Sequence, residues 1–131
     1  MSHIPGDRKY SSAHTWTEIL DNGLVKVGIT DHAQKELGDI VFVELPDPEA
    51  GYVGGEECAV VESVKSASDI YCPVGGEIIE VNHSLEDTPE KINTDPYGSG
   101  WLFMLRPDDM DTLDALLDAD EYGELIEDKR G

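Results

Sequence analysis

The four residues Val-Gly-Gly-Glu occur twice in the chain, at positions 53–56 and again at positions 74–77. The two copies are 21 residues apart, and Val60 and Val81 stand in the same register. Paired glycines are typical of tight turns between short strands, so the repeat indicates a duplicated β unit, with coincidence between glycine-rich turns as the alternative. Because Lys65 lies at the midpoint of the repeat, we expect two related halves joined near this residue.

Short β-type runs, separated by Gly, Pro, Asn and Asp, occupy most of the chain between Trp16 and Leu105. This pattern predicts an all-β sandwich or barrel. The predicted strands cover residues 14–20, 24–28, 39–45, 57–63, 69–71, 76–82 and 100–106. One short helix is predicted among them, with Asp31 and Gln34 as its capping pair and Gly38 at its C-terminal end.

The residues after Pro107 change to a helical pattern. Apolar residues recur there at helical spacing, first at Met110, Leu113, Leu116 and Leu117 and then at Tyr122, Leu125 and Ile126. Such spacing predicts one or two amphipathic helices that pack against the sheet. We therefore expect a single domain over residues 1–131, with a β unit at 14–106 and a C-terminal helical tail at 107–131.

Charge excludes several classes of partner. The chain has 29 acidic residues against nine Lys and Arg, a formal net charge of -20, which repels nucleic acids and anionic membranes. The longest apolar run has five residues, whereas about 20 are needed to span a bilayer. The N-terminal residues contain no signal-peptide core and no transit-peptide pattern, so a cytoplasmic location is expected.

The cysteines and histidines show no metal-binding pattern, and no metal site is expected. Cys58 and Cys72 stand in apolar, strand-like surroundings, at a spacing that matches no set of metal ligands. We expect two free buried thiols. A disulfide between neighbouring strands is the alternative, which a reducing compartment disfavours. The four histidines are not clustered in the sequence, and no cysteine lies near them. They are His3, His14, His32 and His83.

Lys65 is isolated among acidic residues. Between positions 36 and 90 it is the only basic residue beside fourteen acidic ones. The small residues at 66–68 follow it directly and leave its side chain sterically open, which suits a lysine that another protein must grasp. A plain surface lysine, paired with Glu62 or Asp69, is the alternative.

Three segments around this lysine resemble the H-protein family of the glycine cleavage system. They are residues 38–46 (GDIVFVELP), 60–69 (VVESVKSASD) and 75–82 (GGEIIEVN). Further matches in the same order are residues 28–34 (GITDHAQ), 96–97 (PY) and 100–102 (GWL). The resemblance extends from about residue 9 to residue 122, and together these motifs are very specific.

The resemblance implies a mainly β barrel-sandwich hybrid of the lipoyl and biotinyl type, built from two pseudo-symmetric halves. It also implies lipoic acid attached through an amide to a lysine at a hairpin tip, which in this sequence is Lys65. The implied protein is a carrier and not an enzyme. It takes an aminomethyl group from glycine decarboxylase (the P protein) to the tetrahydrofolate-dependent aminomethyltransferase (the T protein) and is reoxidised by dihydrolipoamide dehydrogenase (the L protein). A lipoate-attaching enzyme is the fourth implied partner.

The family also shelters the loaded arm in a cleft that is lined partly by the N-terminal segment. The residues that match this cleft are Ala13, Thr15 and Asp69. Asp69 agrees with the family, but Thr15 replaces the Glu that usually precedes the tryptophan. A charged contact to the amine of the adduct is therefore expected to be missing.

Other carriers fit the sequence less well. Lipoyl modules of 2-oxoacid dehydrogenases carry Asp-Lys-Ala at the tip and biotin carriers have Met on both sides of the lysine, whereas this chain has Val-Lys-Ser at 64–66. An H-like relay protein that serves the lipoylation of other enzymes would share every motif quoted above and stays an alternative. A β-barrel scaffold that has lost the modification is a further alternative from a different class.

Overall fold

The structure, a computed structural model, describes residues 4–130, with side chains through residue 126. It contains two antiparallel sheets and a few short helices, so the predicted mainly β class is confirmed. The larger sheet has its six strands in the order β1 (Lys9–Tyr10), β2 (Thr15–Ile19), β3 (Val25–Ile29), β9 (Phe103–Pro107), β8 (Gly76–Val81) and β5 (Gly51–Tyr52). The smaller sheet has the order β4 (Ile40–Glu44), β6 (Glu57–Ser63) and β7 (Ala67–Tyr71).

Helices connect the strands and end the chain. They are α1 (Asp31–Leu37), α2 (Ser84–Asp87), α3 (Lys91–Thr94), a 3₁₀ helix (Met110–Ala115) and α4 (Ala119–Arg130). Within residues 4–130, no helix is long and apolar enough to cross a bilayer. That the chain forms one domain, divided at residue 107, stays a prediction.

All seven predicted strands correspond to observed ones, with shifted ends. The largest shift is in β9, which begins at Phe103 and not at Gly100, because the residues before it form a turn in which the Gly100 N–H donates to the Asp95 carbonyl at 2.9 Å. The strands β1 and β5 and the helices α2 and α3 were not predicted. Elements of two to four residues are too short to show a hydrophobic period.

Helix α1 begins one residue earlier than predicted. Its N-cap is Thr30, whose hydroxyl accepts a hydrogen bond from the Ala33 N–H at 3.2 Å. The predicted pair, Asp31 and Gln34, forms a hydrogen bond of 2.7 Å inside the first turn. The prediction for the other end is confirmed, since Gly38 ends the helix with φ +84°, a conformation that favours glycine.

The predicted apolar stripe at 110–117 is only partly correct. Leu113 is buried, but Met110 is 44% exposed. The chain becomes extended at Leu116, and Leu117 then forms a bridge to β1, exchanging two hydrogen bonds of 2.7 Å with Tyr10. The helical period therefore ends before Leu117. The second stripe is confirmed, because Tyr122 and Ile126 of α4 are buried in an aromatic cluster with Tyr10 and Trp16.

The two copies of the repeat are reciprocal neighbours. A Cβ atom added at Gly54 would lie 3.5 Å from the Gly75 nitrogen, and one added at Gly75 would lie 3.4 Å from the Gly54 nitrogen. The strand pairing also repeats with an offset of 21 residues. Gly51 pairs with Glu77, and the residues at the equivalent positions, Cys72 and Glu56, are joined by a hydrogen bond of 2.8 Å from the Cys72 N–H to the Glu56 carbonyl. This reciprocity supports the two related halves predicted from the sequence.

The prediction of two buried thiols is supported in the described part of the chain, and the absence of a metal site stays a prediction. Cys58 and Cys72 are both free and buried. Among the side chains that the structure describes, those of residues 4–126, no group of three or more potential metal ligands is found. His3 lies outside the described residues.

Gly76 lies so close to the backbone of β9 that a residue with a side chain would not fit at this position. A Cβ atom at this position would collide with the backbone carbonyl of Arg106 on β9. We predict that Gly76→Ala lowers the free energy of unfolding by about 2 kcal/mol, because the β8–β9 pair must separate locally to admit the methyl group. Urea unfolding measures the change. Gly51→Ala is the matched control, since its Cβ meets nothing within 4 Å and the change should stay within about 0.5 kcal/mol. Equal effects of the two substitutions would contradict the prediction.

Candidate functional site

Lys65 is exposed at the tip of the β6–β7 hairpin, and the side chain of Ser63 holds the turn. The Ser63 hydroxyl accepts hydrogen bonds from the Lys65 and Ser66 N–H groups, both at 3.2 Å. It also donates to the Ser66 carbonyl at 3.1 Å, which the Ser63 N–H reaches at 2.8 Å. A hydroxyl thus closes a turn that has no Gly, Asn or Pro to form it.

The tip is anchored to the junction between α1 and β4. The Val64 N–H donates to the Asp39 carbonyl at 3.0 Å. The side chain of Lys65 passes over Gly38, where an added Cβ would lie 3.1 Å from the lysine Cε. Gly38 therefore meets two requirements at once: its positive φ ends the helix, and its missing side chain leaves the path of the lysine open.

Asn93 on α3 fixes this junction, and sequence reasoning did not identify it. Its amide nitrogen donates to the Gln34 side chain at 3.0 Å and to the Gly38 carbonyl at 2.9 Å. Its amide oxygen accepts from the Ile40 N–H at 2.9 Å. One partly buried side chain therefore forms hydrogen bonds both to the end of α1 and to the start of β4. Because its partners are 53 to 59 residues away in sequence, no local pattern could have indicated the role.

Lys65 takes part in none of the ion pairs formed by the side chains of residues 4–126, so the predicted pairing with Glu62 or Asp69 is wrong. The Asp69 carboxylate lies instead beside Glu57, whose pKa it raises by like-charge repulsion. An amine without an ion-pair partner can lose its charge in an amide bond without leaving a carboxylate unpaired.

Exposed apolar side chains lie next to the tip. Val64 is 67% exposed, and Val41 and Phe42 are each 53% exposed. The β4–β6 register shifts between Ile40 and Phe42, which turns two consecutive β4 residues outward. Large apolar side chains exposed near one another are typical of sites where other proteins bind.

The three residues matched to the cleft have different surroundings. Thr15 is fully buried, and its hydroxyl is 2.6 Å from the Ser11 hydroxyl. Ala13 is exposed and lines a surface cavity of about 300 Å³ together with Ser11 and Tyr71. Asp69 is exposed on β7, in register with Val60 of β6. Of the three, only Ala13 is among the described residues that line this cavity.

A polar network that sequence reasoning missed holds the N-terminal segment against α1 and α4. The Tyr122 hydroxyl is 2.8 Å from His14 Nδ1 and 2.7 Å from the Thr30 hydroxyl. His14 has φ +68°, and its ring centroid is 5.0 Å from that of His32. Burial raises the pKa of Tyr122, so its hydroxyl stays protonated. A non-glycine residue at positive φ is a strained conformation that persists only where surrounding contacts hold it.

Comparison with known proteins agrees with the predicted resemblance. A family model described as glycine cleavage H-protein matches residues 8–129. The chain is 56% identical over 129 residues to a glycine cleavage system H protein from Alkalilimnicola ehrlichii, covering 98% of this chain and 99% of the relative. It is 55% identical over 129 residues to one from Shewanella frigidimarina, covering 98% of this chain and 100% of the relative.

A solved structure extends the similarity to three dimensions. The crystal structure of a glycine cleavage system H protein from Mycobacterium marinum matches with a TM-score of 0.85 and 44% sequence identity. The match covers 92% of this chain and 97% of the solved one. The predicted barrel-sandwich fold is thereby confirmed.

The Ser63 hydroxyl allows a direct test of how the tip is held. We predict that Ser63→Ala lowers the free energy of unfolding by about 1 kcal/mol, because two N–H groups of the turn lose their acceptor. Amide exchange at Lys65 and Ser66 should become faster. Ser66→Ala is the matched control in the same turn, and it should leave both measurements unchanged. Unchanged exchange in Ser63→Ala would show that the hydroxyl does not hold the turn.

Proposed function

Because the chain belongs to the glycine cleavage H-protein family, we propose that Lys65 is the residue to which its lipoic acid is attached. The function of the chain is that of the lipoyl carrier in glycine cleavage. The observation that carries the assignment of Lys65 is its position: an exposed lysine without an ion pair among the described residues, at the tip of an anchored hairpin. We include in the proposal that the chain presents the reacting group and does not itself catalyse a reaction.

The residues around Lys65 fit an attached lipoyl group. The Ser63 hydroxyl and the Asp39 carbonyl fix the backbone, so the flexible part begins at the lysine side chain. Gly38 leaves the path of this side chain open. When attached, lipoate supplies a cyclic disulfide that opens to take up a one-carbon unit and closes again on oxidation. A rigid tip with a mobile arm confines the reactive group to a small volume once a partner has docked.

The proposed partners are those that this function requires. They are glycine decarboxylase, the tetrahydrofolate-dependent aminomethyltransferase, dihydrolipoamide dehydrogenase and a lipoate-attaching enzyme. All four must reach the same lysine, and the exposed side chains of Val64 and Phe42 offer apolar contact beside it. A cytoplasmic location stays a prediction.

We also propose that Ala13 and Asp69 belong to the surface on which the loaded arm rests and that Thr15 supports this surface from below. Asp69 contributes an exposed carboxylate that attracts a protonated amine. Thr15 is buried and bonded to Ser11, so its part is to hold the segment that presents Ala13. The Ser11 hydroxyl accepts from the Ala13 N–H at 3.2 Å, which supports this role.

Intact-mass spectrometry tests the attachment site. We predict that the chain from a lipoate-competent host gains the mass of one lipoyl group on Lys65 and that Lys65→Arg abolishes the gain, because a guanidinium does not form the amide. Lys35→Arg is the control, since Lys35 is also partly exposed but is ion-paired with Asp31 at 3.2 Å. A lipoyl increment that persists in Lys65→Arg contradicts the assignment.

Exchange of label between bicarbonate and the glycine carboxyl group, with glycine decarboxylase present, tests the role of the modified chain. The lipoylated protein should support the exchange, and Lys65→Arg should not. An intact lipoyl protein that supports none would instead indicate the relay role.

The resting surface has a separate test. We predict that Asp69→Asn shortens the lifetime of the amine-loaded arm about two- to fivefold, because one exposed charge contact is lost. Glu80→Gln is the matched control, since Glu80 is likewise exposed but lies on β8 of the larger sheet, and it should leave the lifetime unchanged. NMR of the chain loaded with a labelled one-carbon unit measures both lifetimes. Equal lifetimes in the wild type and Asp69→Asn would remove Asp69 from the proposed surface, while leaving the assignment of Lys65 intact.

A further inference from the structure

His14 stands in the loop between β1 and β2, at a position that favours glycine. Residues 12–14 connect Ser11 to Thr15, whose carbonyl accepts from the Ser11 N–H at 2.9 Å, and the His14 N–H donates to the Ser11 carbonyl at 3.1 Å. In a hairpin loop of three residues the last one commonly adopts the left-handed conformation, and His14 does so with φ +68°. A residue with a side chain is uncommon at this φ, so contacts from outside the loop are needed to hold it there.

Those contacts come from the start of α1 and from α4. The Tyr122 hydroxyl of α4 lies 2.8 Å from His14 Nδ1 and 2.7 Å from the hydroxyl of Thr30, the N-cap of α1. The Thr30 N–H also donates to the His14 carbonyl at 3.1 Å. Thr30 and Tyr122 are both fully buried. One buried hydroxyl therefore joins the histidine side chain to two helices.

The hydroxyl can be removed without disturbing the ring that carries it. The Tyr122 ring is stacked on the Tyr10 ring, with centroids 5.0 Å apart and an angle of 12° between the planes. Phenylalanine at position 122 keeps this stacking and loses only the two hydrogen bonds of the hydroxyl. The contribution of the hydroxyl to the loop can thus be measured separately from the packing of α4.

The conformation of His14 determines how Ala13 is presented. The Ala13 N–H donates to the Ser11 hydroxyl at 3.2 Å, and the Thr15 N–H reaches the same oxygen at 3.3 Å. Both hydrogen bonds require that the chain reverse its direction between Ala13 and Thr15, which the left-handed conformation of His14 allows. If His14 left this conformation, the two N–H groups could not both reach Ser11.

We propose that the Tyr122 hydroxyl is a positioning group for the surface on which the loaded arm rests: it holds His14 in the left-handed conformation and thereby fixes Ala13. Because Tyr122 is fully buried, it acts on the arm only through the loop. Helix α4, more than 100 residues away along the chain, would thus support the protection of the loaded arm. This inference rests on the proposed resting surface, but its first test does not require lipoate.

Amide exchange of the full chain without lipoate, followed by NMR, is the first test. Tyr122→Phe should make exchange at Ala13 about fivefold faster, because the loop loses one hydrogen bond that holds it. Tyr97→Phe is the matched control, since its hydroxyl accepts from the Asp31 N–H of α1 at 3.0 Å and does not contact the loop. Unchanged exchange at Ala13 in Tyr122→Phe, or an equal increase in both variants, would overturn the proposal.

Replacement of the histidine tests whether the hydroxyl acts through it. Glycine adopts a positive φ without support, so in the His14→Gly chain the further substitution Tyr122→Phe should change exchange at Ala13 by less than about twofold. A fivefold increase that persists in this background would show that the hydroxyl holds the loop by another route, and would overturn the role given to His14.

The lifetime of the amine-loaded arm tests the consequence for function. In the lipoylated chain, Tyr122→Phe should shorten this lifetime by at least about twofold and at most about fivefold, because the loss of one hydrogen bond is the cause. Tyr97→Phe should leave it unchanged, whereas a general loss of stability would shorten it in both variants. Faster exchange at Ala13 with an unchanged lifetime would overturn the part of the loop in the resting surface. Unchanged exchange would overturn only the hold on His14, so the two failures are distinguishable.

Discussion

The side-chain amide of Asn93 joins elements that are far apart in sequence, and the position of Lys65 depends on it. Through hydrogen bonds of 2.9 to 3.0 Å, the amide holds the end of α1 and the start of β4. The next residue in this junction, Asp39, accepts the Val64 N–H of the hairpin tip. The tip is thus fixed to the end of a helix and the start of a strand, both of which form hydrogen bonds to one partly buried amide. Leaving such groups without partners would be costly.

The hairpin combines a fixed backbone with a mobile lysine side chain. Its backbone is held at the tip by the Ser63 hydroxyl and by the hydrogen bond from the Val64 N–H to the Asp39 carbonyl. The lysine side chain that extends from it passes a glycine and forms no ion pair among the described residues. A lipoyl carrier needs this combination, because the reactive group must be mobile while its attachment point stays fixed for each partner.

The sequence predicted the parts of the site that depend on local pattern. Short strands, the glycine that ends α1 and the central position of Lys65 follow from turn residues and from the Val-Gly-Gly-Glu repeat, and the two copies of that repeat are neighbours in space. Asn93, His14 and the Thr30 cap were missed. The first two act through hydrogen bonds to residues 53 to 108 positions away, and a capping threonine competes with an equally suitable aspartate beside it.

The sequence by itself determined the class of the fold, the duplication about Lys65 and the family. These follow from the period of the hydrophobic pattern, from the turn residues and from the order of the motifs, which are all local properties of a chain. The tertiary structure decided how the residues near the site are used. Thr15 is buried and hydrogen-bonded to Ser11, Asp69 is exposed beside Glu57, and Cys58 and Cys72 are both buried. These outcomes depend on register and on contacts between distant segments, which the free energy of the whole packed chain selects and no local pattern specifies.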